Sequence, residues 1–395
     1  MKILIINEKL IEGGAEQSCL KMKSLLEQHN HEVYYLTFDN EFENKIKNLE
    51  NITNIINIKT KNNIINKMVF NPFLYFNIKR VLKKINPDKV ILNNIFSSPI
   101  TQLKSLDKYE VYQIVRDYTI VCPKSTAIKS NYSICKGYKY EKCTQHCTYH
   151  DSKLQLILKR NLIRRTEKLR KKIIQKVISP SENLNKYLLE YGYNSCCINN
   201  PVDIPKEKYK NNNNYGLNMK EYIYIGVINE NKGIYKLLDV YQEFSKDKNV
   251  NLKIVGKCSS AQDEERLNSY LEVNNKIEFL GYKRHDETVK EIEKAHFIVV
   301  PSLWIENYPT TALEGMLYGT VVLGSNRGGI PEIIGNNRGM LFDILNADSV
   351  LNVLEESYKM SEEDYKNVRE HAYQYVINNN SFDKYYKRII ETIAD

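Results

Sequence analysis

Tryptophan occurs once in the 395 residues and proline ten times, and no apolar run approaches the roughly 20 residues that a helical membrane span needs. A helical span is excluded on that ground. Room for a signal peptide is also lacking, because Met1 leads directly into the strand-like Lys2-Ile3-Leu4-Ile5-Ile6, so a cytoplasmic chain is expected. In that compartment the eight cysteines are expected as reduced thiols or metal ligands, not disulfides. Acid is scarce in the first half: residues 1–205 carry a net charge of +14 and the remainder −5, within a total of +9. Such a half attracts anions, whether lipid head groups or phosphorylated molecules, although a solvated lysine-rich surface explains it equally. Nucleic acid is set aside as a partner, since no recognition motif or aromatic platform accompanies the basic residues.

A chain of this length exceeds one hydrophobic core, and two domains of similar size are expected. Short apolar runs that read as buried parallel strands recur at Ile3–Ile6, Val33–Thr37, Lys89–Leu92, Val111–Val115 and Lys176–Ile178. The clearest helix follows Gly13-Gly14, with Ala15, Cys19, Met22 and Leu26 at helical spacing, and stops before Asn30. After Asn199-Asn200-Pro201 a polar stretch containing Asn211-Asn212-Asn213-Asn214 reads as a linker. The alternation then restarts at Tyr222–Val227, Leu252–Val255, Ile277–Leu280, Phe297–Val300 and Val321–Leu323. This predicts an α/β protein of two Rossmann-like, doubly wound parallel-sheet domains facing a central cleft, where such sheets bind ligands. The domains are placed at 1–203 and 204–380, followed by an amphipathic helix over 381–395 that carries Tyr385, Tyr386, Ile389, Ile390 and Ile393 and turns back toward the first domain.

The segment richest in chemistry runs from Pro301 to Glu314, directly after a strand. Pro309 suits the first turn of a helix, whose amides at Thr310, Thr311 and Ala312 would face an anion such as a diphosphate. Glu314 in the first turns could accept the two hydroxyls of a ribose, and Glu306 in the loop those of a sugar. The plainer alternative makes Glu314 a complement to the helix dipole and Glu306 a solvated loop residue.

This stretch resembles the E-x7-E signature of the GT4 family of retaining glycosyltransferases, here Glu306 through Glu314. The likeness continues through Gly315-Met316, Gly319, Val321-Val322 and Gly328-Gly329-Ile330-Pro331-Glu332, with Gly315 and Thr320 in place of the family's usual Ala and Pro. Upstream, Gly13-Gly14-Ala15-Glu16, Ser179-Pro180-Ser181, Asn200-Pro201-Val202-Asp203 and Lys232-Gly233 resemble further elements of it. Ordered matches across hundreds of residues are far more specific than a lone glycine pair.

The resemblance implies a GT-B fold and transfer of a sugar, with retention, from a nucleotide-diphosphate donor to a glycan or lipid-linked acceptor of bacterial-type surface polysaccharide. It implies no metal for catalysis, because the donor's own phosphate assists the acceptor. Glu306 is assigned to donor-sugar hydroxyls, Glu314 to the ribose, and Lys232 to the diphosphate charge. Gly13 and Gly14 allow close approach to a phosphate, Gly256 and the Lys283-Arg284 loop lie near the base, and Tyr308, Pro309, Thr310 and Thr311 complete the donor-binding set. Two departures stand out. Val227 occupies a position where the family often has Arg, and Arg116-Asp117 replaces a frequent His-Asp, which places Arg116 among the catalytic candidates. A catalytically silent sugar-binding protein, or a nucleotide-sugar epimerase on the same scaffold, are the alternatives; the E-x7-E context argues against the second.

Two further features lie outside these motifs. From Leu156 to Ile174, the basic residues Lys159-Arg160, Arg164-Arg165, Lys168 and Arg170-Lys171-Lys172 interleave with Leu156, Leu158, Leu162, Ile163, Leu169 and Ile173-Ile174. That pattern predicts a basic amphipathic helix, suited either to peripheral contact with anionic membrane or to packing on its own domain. Cys122, Cys135, Cys143 and Cys147, with His146 and His150 nearby, cluster on a segment poor in apolar residues, so a structural zinc site is weighed against separate reduced thiols.

Overall fold

The structure is a computed structural model. It describes all residues except 11–13, 48–52, 61–68, 94, 96–97, 141–142, 144–146, 148–151, 210–218 and 395. Gly13, His146, His150 and the asparagine run at 211–214 therefore lie outside the described residues. The chain divides into two compact units, Met1–Ile198 with Tyr386–Asp395, and Asn199–Tyr385.

The first unit is built on seven strands: β1 (Lys2–Asn7), β2 (Glu32–Thr37), β3 (Ile55–Asn57), β4 (Lys89–Leu92), β5 (Val111–Ile114), β6 (Ile174–Ser179) and β7 (Ser195–Cys197). They lie in the order β3-β2-β1-β4-β5-β6-β7, and every pairing is parallel. Continuous aliphatic stretches such as Ile3-Leu4-Ile5-Ile6 and Val90-Ile91-Leu92 are fully buried, as expected of strands covered on both faces. The helices are delimited by local chemistry. Asn71 caps the helix Pro72–Ile85 by accepting from the Leu74 amide, and Asn86 in the left-handed region ends it. Ser152 and Gln155 form a capping box at the start of the helix Lys153–Ile173. From Tyr386 onward the last helix, Phe382–Ala394, belongs to this unit: the Tyr386 ring stacks on His29 at 3.6 Å and its hydroxyl lies 2.9 Å from His31 Nε2.

The second unit carries six parallel strands, β8 (Lys220–Ile225), β9 (Val250–Val255), β10 (Ile277–Gly281), β11 (Phe297–Val300), β12 (Val321–Ser325) and β13 (Gly339–Phe342), in the order β10-β9-β8-β11-β12-β13. Its order reverses between β8 and β11, which lie side by side. Loops leaving the carboxyl ends of two such strands diverge to opposite sides and leave a crevice, so β8 and β11 position this unit's site.

Candidate active site

Two loops meet beyond β8 and β11. The first runs through a short turn, Glu230–Lys232, capped by Asn229, whose side chain accepts from the Lys232 amide at 3.0 Å. The second leaves β11 at Pro301. They are stitched together because the amides of Leu303 and Trp304 both donate to the Asn231 carbonyl, at 3.0 and 3.1 Å. Gly233 makes the contact geometrically feasible: its φ is +72°, and a Cβ there would lie 1.7 Å from the Pro301 carbonyl oxygen.

This approach brings together two charged residues that are 74 positions apart. Lys232 Nζ lies 2.6 Å from Glu306 Oε1, and the Ser302 hydroxyl donates to the same oxygen at 2.8 Å. The ammonium also sits 4.4 Å from the Trp304 ring centroid. The Glu306 side chain is only 12% exposed and that of Lys232 26%. Burial pushes the Glu306 carboxyl up, but Lys232, Trp304 and Ser302 together hold it below the ordinary glutamate value. The Trp304 indole N–H adds to this pull without reaching hydrogen-bond geometry.

The loop bearing Glu306 is held from its other side by the segment after β12. Gly329 donates its amide to the Glu306 carbonyl at 2.7 Å, Ser325 Oγ to the Ser302 carbonyl at 2.9 Å, and buried Arg327 Nη1 to the Leu303 carbonyl at 2.5 Å. The Gly328-Gly329 pair thus works as a backbone brace for the acid. Asn231, Ser325 and Arg327 were not singled out from sequence; each meets this loop because β8, β11 and β12 lie side by side, whereas Ser302 reaches Glu306 from four positions away on the same loop.

The helix Thr310–Leu317 follows. Pro309 stands at the N-cap in extended conformation, one position before the first turn, and its carbonyl accepts from the Ala312 amide at 3.2 Å. Only Thr310 and Thr311 thus keep amides open at the helix start, a correction to the expected set of three. Glu314 lies in the second turn, with Oε1 4.0 Å from Nδ1 of His285. That histidine begins the helix His285–Lys294, for which the neighbouring, exposed Arg284 is the N-cap, so the Lys283-Arg284 loop and Glu314 share one corner. Tyr308, by contrast, is turned into the core: its hydroxyl meets Tyr375 and Asn380, each at 3.2 Å, and its carbonyl accepts from the Asn200 side chain at 3.4 Å.

Gly256 closes the rim beside β8. A Cβ there would lie 1.8 Å from the Gly226 carbonyl oxygen, so the chains leaving β8 and β9 run in close contact. They pair as far as Ile228 and Cys258, which sets Val227 beside Lys257. Val227 is exposed, and Lys257 lies 4.6 Å from the Tyr282 ring centroid at the end of β10. Lys257 is a cation at this rim that the sequence reading overlooked.

In the first unit, Arg116 follows β5. Its Nε donates to Asn93 Oδ1 at 3.1 Å, Asn93 Nδ2 to Asn7 Oδ1 at 3.0 Å, and Asn7 Nδ2 to the Tyr35 hydroxyl at 2.8 Å. This buried amide chain links the carboxyl ends of β5, β4, β1 and β2 and fixes the guanidinium. Arg116 and Asp117 line a small cavity with Asn93, Thr119 and Arg170. Burial pushes Asp117 up to about 6, against the pull of the Thr119 amide, which donates to it at 2.8 Å. Gly14 opens the helix Gly14–Gln28 after β1.

Cys122, Cys135, Cys143 and Cys147 are all buried free thiols. They are neighbours: burial pushes Cys135 up to about 12, the Gly137 amide opposes this, and the other three thiols add to it. Among the described residues, no three His, Cys, Asp or Glu side chains are arranged to hold a metal ion.

Residues 205–375 match the family of glycosyl transferases group 1. Among curated proteins, an uncharacterized glycosyltransferase of Methanocaldococcus jannaschii is 33% identical over 115 residues, 29% of each chain. A lipopolysaccharide 1,2-N-acetylglucosaminetransferase of Salmonella typhimurium is 23% identical over 238 residues, 56% of this chain and 62% of its own. The matches span less than two thirds of either relative. Among solved structures, the Anabaena HepE protein in complex with UDP superposes with a TM-score of 0.75 at 16% identity, covering 100% of both chains. Sucrose-phosphate synthase of Thermosynechococcus elongatus gives 0.72 at 16% identity, covering 99% and 98%. The fold is that of the GT-B glycosyltransferases.

Proposed function

We propose that this chain, which belongs through residues 205–375 to the glycosyl transferases of group 1, moves a sugar from a nucleotide-diphosphate donor to a glycan or lipid-linked acceptor with retention of configuration. The observation that carries the reading is the Lys232–Glu306 pair, braced from three strands beside an open helix start at Thr310 and Thr311. A cation and a helix N-terminus together suit a diphosphate, and an ionised carboxylate suits sugar hydroxyls. The Anabaena relative was solved with UDP and with UDP-glucose, and the Salmonella relative transfers N-acetylglucosamine, which supports a nucleotide-sugar donor.

In this reading the bond between the sugar C1 and the phosphate oxygen breaks while Lys232 and the helix start take up the charge of the leaving diphosphate. The acceptor oxygen bonds to C1 from the same face, and its proton passes to the departing phosphate. Glu306 orients the sugar through its hydroxyls and Glu314 holds the ribose, while Arg116, at the carboxyl end of β5, is the first unit's candidate for an anionic group of the ligands. No protein nucleophile or metal enters the scheme. Synthesis of surface polysaccharide at the cytoplasmic side of a membrane is the setting that fits; among the described residues no helix is long and apolar enough to cross one.

Incubation of the purified chain with a panel of nucleotide sugars, with and without EDTA, tests the reading by release of nucleoside diphosphate. Release from one donor, lost in Glu306→Gln, is expected. No release from any donor would leave a sugar-binding protein in its place.

A further inference from the structure

We propose that the first unit docks on an anionic lipid bilayer through the beginnings of two helices, Pro72–Ile85 and Lys153–Ile173. The proposal rests on the transferase reading for its purpose, to bring a lipid-linked acceptor to the enzyme, but not for its evidence.

Phe73 and Phe76 are 75% and 66% exposed, a costly arrangement for two large apolar rings on one helix face. The opposite face, Leu74, Ile78, Leu82 and Ile85, is buried in the unit's own core. Continuing along the outer face at helical spacing come Arg80 and Lys83, both exposed. The aromatic group extends beyond the helix: Phe70 lies 5.4 Å from Tyr75, and Tyr75 5.5 Å from Phe76.

The helix Lys153–Ile173 repeats the pattern. Leu154 and Ile157 are exposed near its start, and Arg164, Arg165 and Lys168 follow on the same side, lining a shallow depression with Asn161. Its other side, including Leu156, Ile163 and Ile173, is buried. Among the described residues no acid pairs with Arg80, Lys83, Arg164, Arg165 or Lys168.

The two helices share a neighbour, Pro99–Ser105, which packs on both. Its Thr101 hydroxyl accepts from the Asn71 amide at 2.9 Å, and its Lys104 ammonium lies 5.0 Å from the Phe70 ring centroid. The helices lead into β4 and β6 of an all-parallel sheet, so both run against the strands and begin at the sheet's carboxyl edge. Apolar residues from two helices therefore collect at one rim, the rim that also carries Arg116, with unpaired cations behind them.

Exposed aromatic and aliphatic tips backed by cations match an interface in which the tips enter the acyl boundary and the cations meet lipid phosphates. Charge complementarity selects an anionic bilayer over a neutral one. Nothing in this arrangement requires a donor sugar.

Sedimentation of the full-length chain with phosphatidylcholine vesicles, and with vesicles that also contain phosphatidylglycerol, tests the proposal. Tight binding to the second and weak binding to the first is expected, falling with added salt. Phe73→Ser/Phe76→Ser should weaken it about tenfold or more, and Arg164→Gln/Arg165→Gln/Lys168→Gln about a hundredfold. Val273→Ser, at an exposed apolar position of the second unit, should leave it unchanged. Thermal unfolding measured alongside confirms that each variant is folded. Equal binding by all variants, or equal binding to both vesicle types, would overturn the proposal. So would Phe73→Ser/Phe76→Ser altering self-association in ultracentrifugation while vesicle binding stays intact, or binding to heparin without binding to vesicles. Vesicle binding by a chain inert toward every donor would leave the proposal standing and remove only the transferase reading.

Discussion

Replacing Lys232 by Met removes the ammonium from the only two groups donating to Glu306 Oε1 among the described residues and leaves a carboxylate that is 12% exposed. Removing one partner of a fully buried ion pair costs about 3–5 kcal/mol. Here the lysine is 26% exposed and Ser302 remains bonded to the acid, so a loss of about 2–3 kcal/mol is expected. Glu306→Gln should cost less, about 1 kcal/mol, because the amide oxygen can still accept from Ser302. In the double variant Lys232→Met/Glu306→Gln the costs should not add, and the cycle should return a coupling of about 1–2 kcal/mol. The pH dependence follows in sign. Glu306 is depressed in the folded state, so its stabilising contribution is complete above the ordinary value of 4.5 and is lost as pH falls through the lower folded value. In Lys232→Met the depression vanishes and burial prevails, moving the titration above 4.5 and reversing its slope. Denaturant unfolding followed by fluorescence suits the measurement, because Trp304 is the single tryptophan and lies in the same cluster. Coupling below about 0.5 kcal/mol, within which independent sites usually add, with an unshifted titration, would show that the pair is a surface contact without energetic weight.

Glu314→Gln should weaken binding of free nucleoside diphosphate by about tenfold, consistent with a charged hydrogen bond worth about 1.5–3 kcal/mol, whereas Glu306→Gln should spare it and lower kcat; calorimetry and steady-state kinetics separate the two, and the reverse pattern would exchange their roles. Lys257→Ala should weaken nucleoside diphosphate binding and Val227→Arg should restore it, since the two positions stand side by side beyond β8 and β9; unchanged affinity in Lys257→Ala removes that lysine from the phosphate site. Asp117 is raised in the folded state, so it favours protonation there, and stability should fall as pH rises from 3.8 to about 6, by about 1–3 kcal/mol. Asp117→Asn should abolish that slope in thermal unfolding, and a persistent slope would assign it to other groups.

What could be read in the sequence follows from how each feature is encoded. The central strands announced themselves, because a strand covered on both faces must be an uninterrupted aliphatic run. Three strands went unread: β3, β7 and β13. All are sheet edges, short and partly exposed, and Ile55-Ile56-Asn57 or Ser195-Cys196-Cys197 carries too little burial to leave a pattern. The helix Glu362–Asn379 also escaped notice, since its buried Tyr365, Arg369, Ala372, Tyr373 and Val376 include a cation and two phenols among polar neighbours. At the candidate site, Glu306 stood out by its residue type and spacing and Lys232 by the family resemblance, while Gly233 and Gly256 sit where the chain approaches too closely for a Cβ. Asn7, Asn93 and Arg327 were not legible, because each depends on which strands happen to be adjacent. Lys257 was hidden for a related reason: only the register of β8 against β9 places it beside Val227.

The first unit is discontinuous along the chain, being completed by Tyr386–Asp395 after the whole of Asn199–Tyr385. During synthesis, at about 5–20 residues per second, some 10 to 40 s separate the emergence of its main body from that of its last helical segment. Throughout that interval His29 and His31 lack the Tyr386 ring and hydroxyl, and the Cys197 carbonyl lacks the Arg388 guanidinium that donates to it at 2.7 Å. A nascent chain stalled near residue 380 therefore presents an unfinished sheet unit to the cell, a state that chaperones and proteases can recognise and from which a fusion at the carboxyl terminus could delay escape.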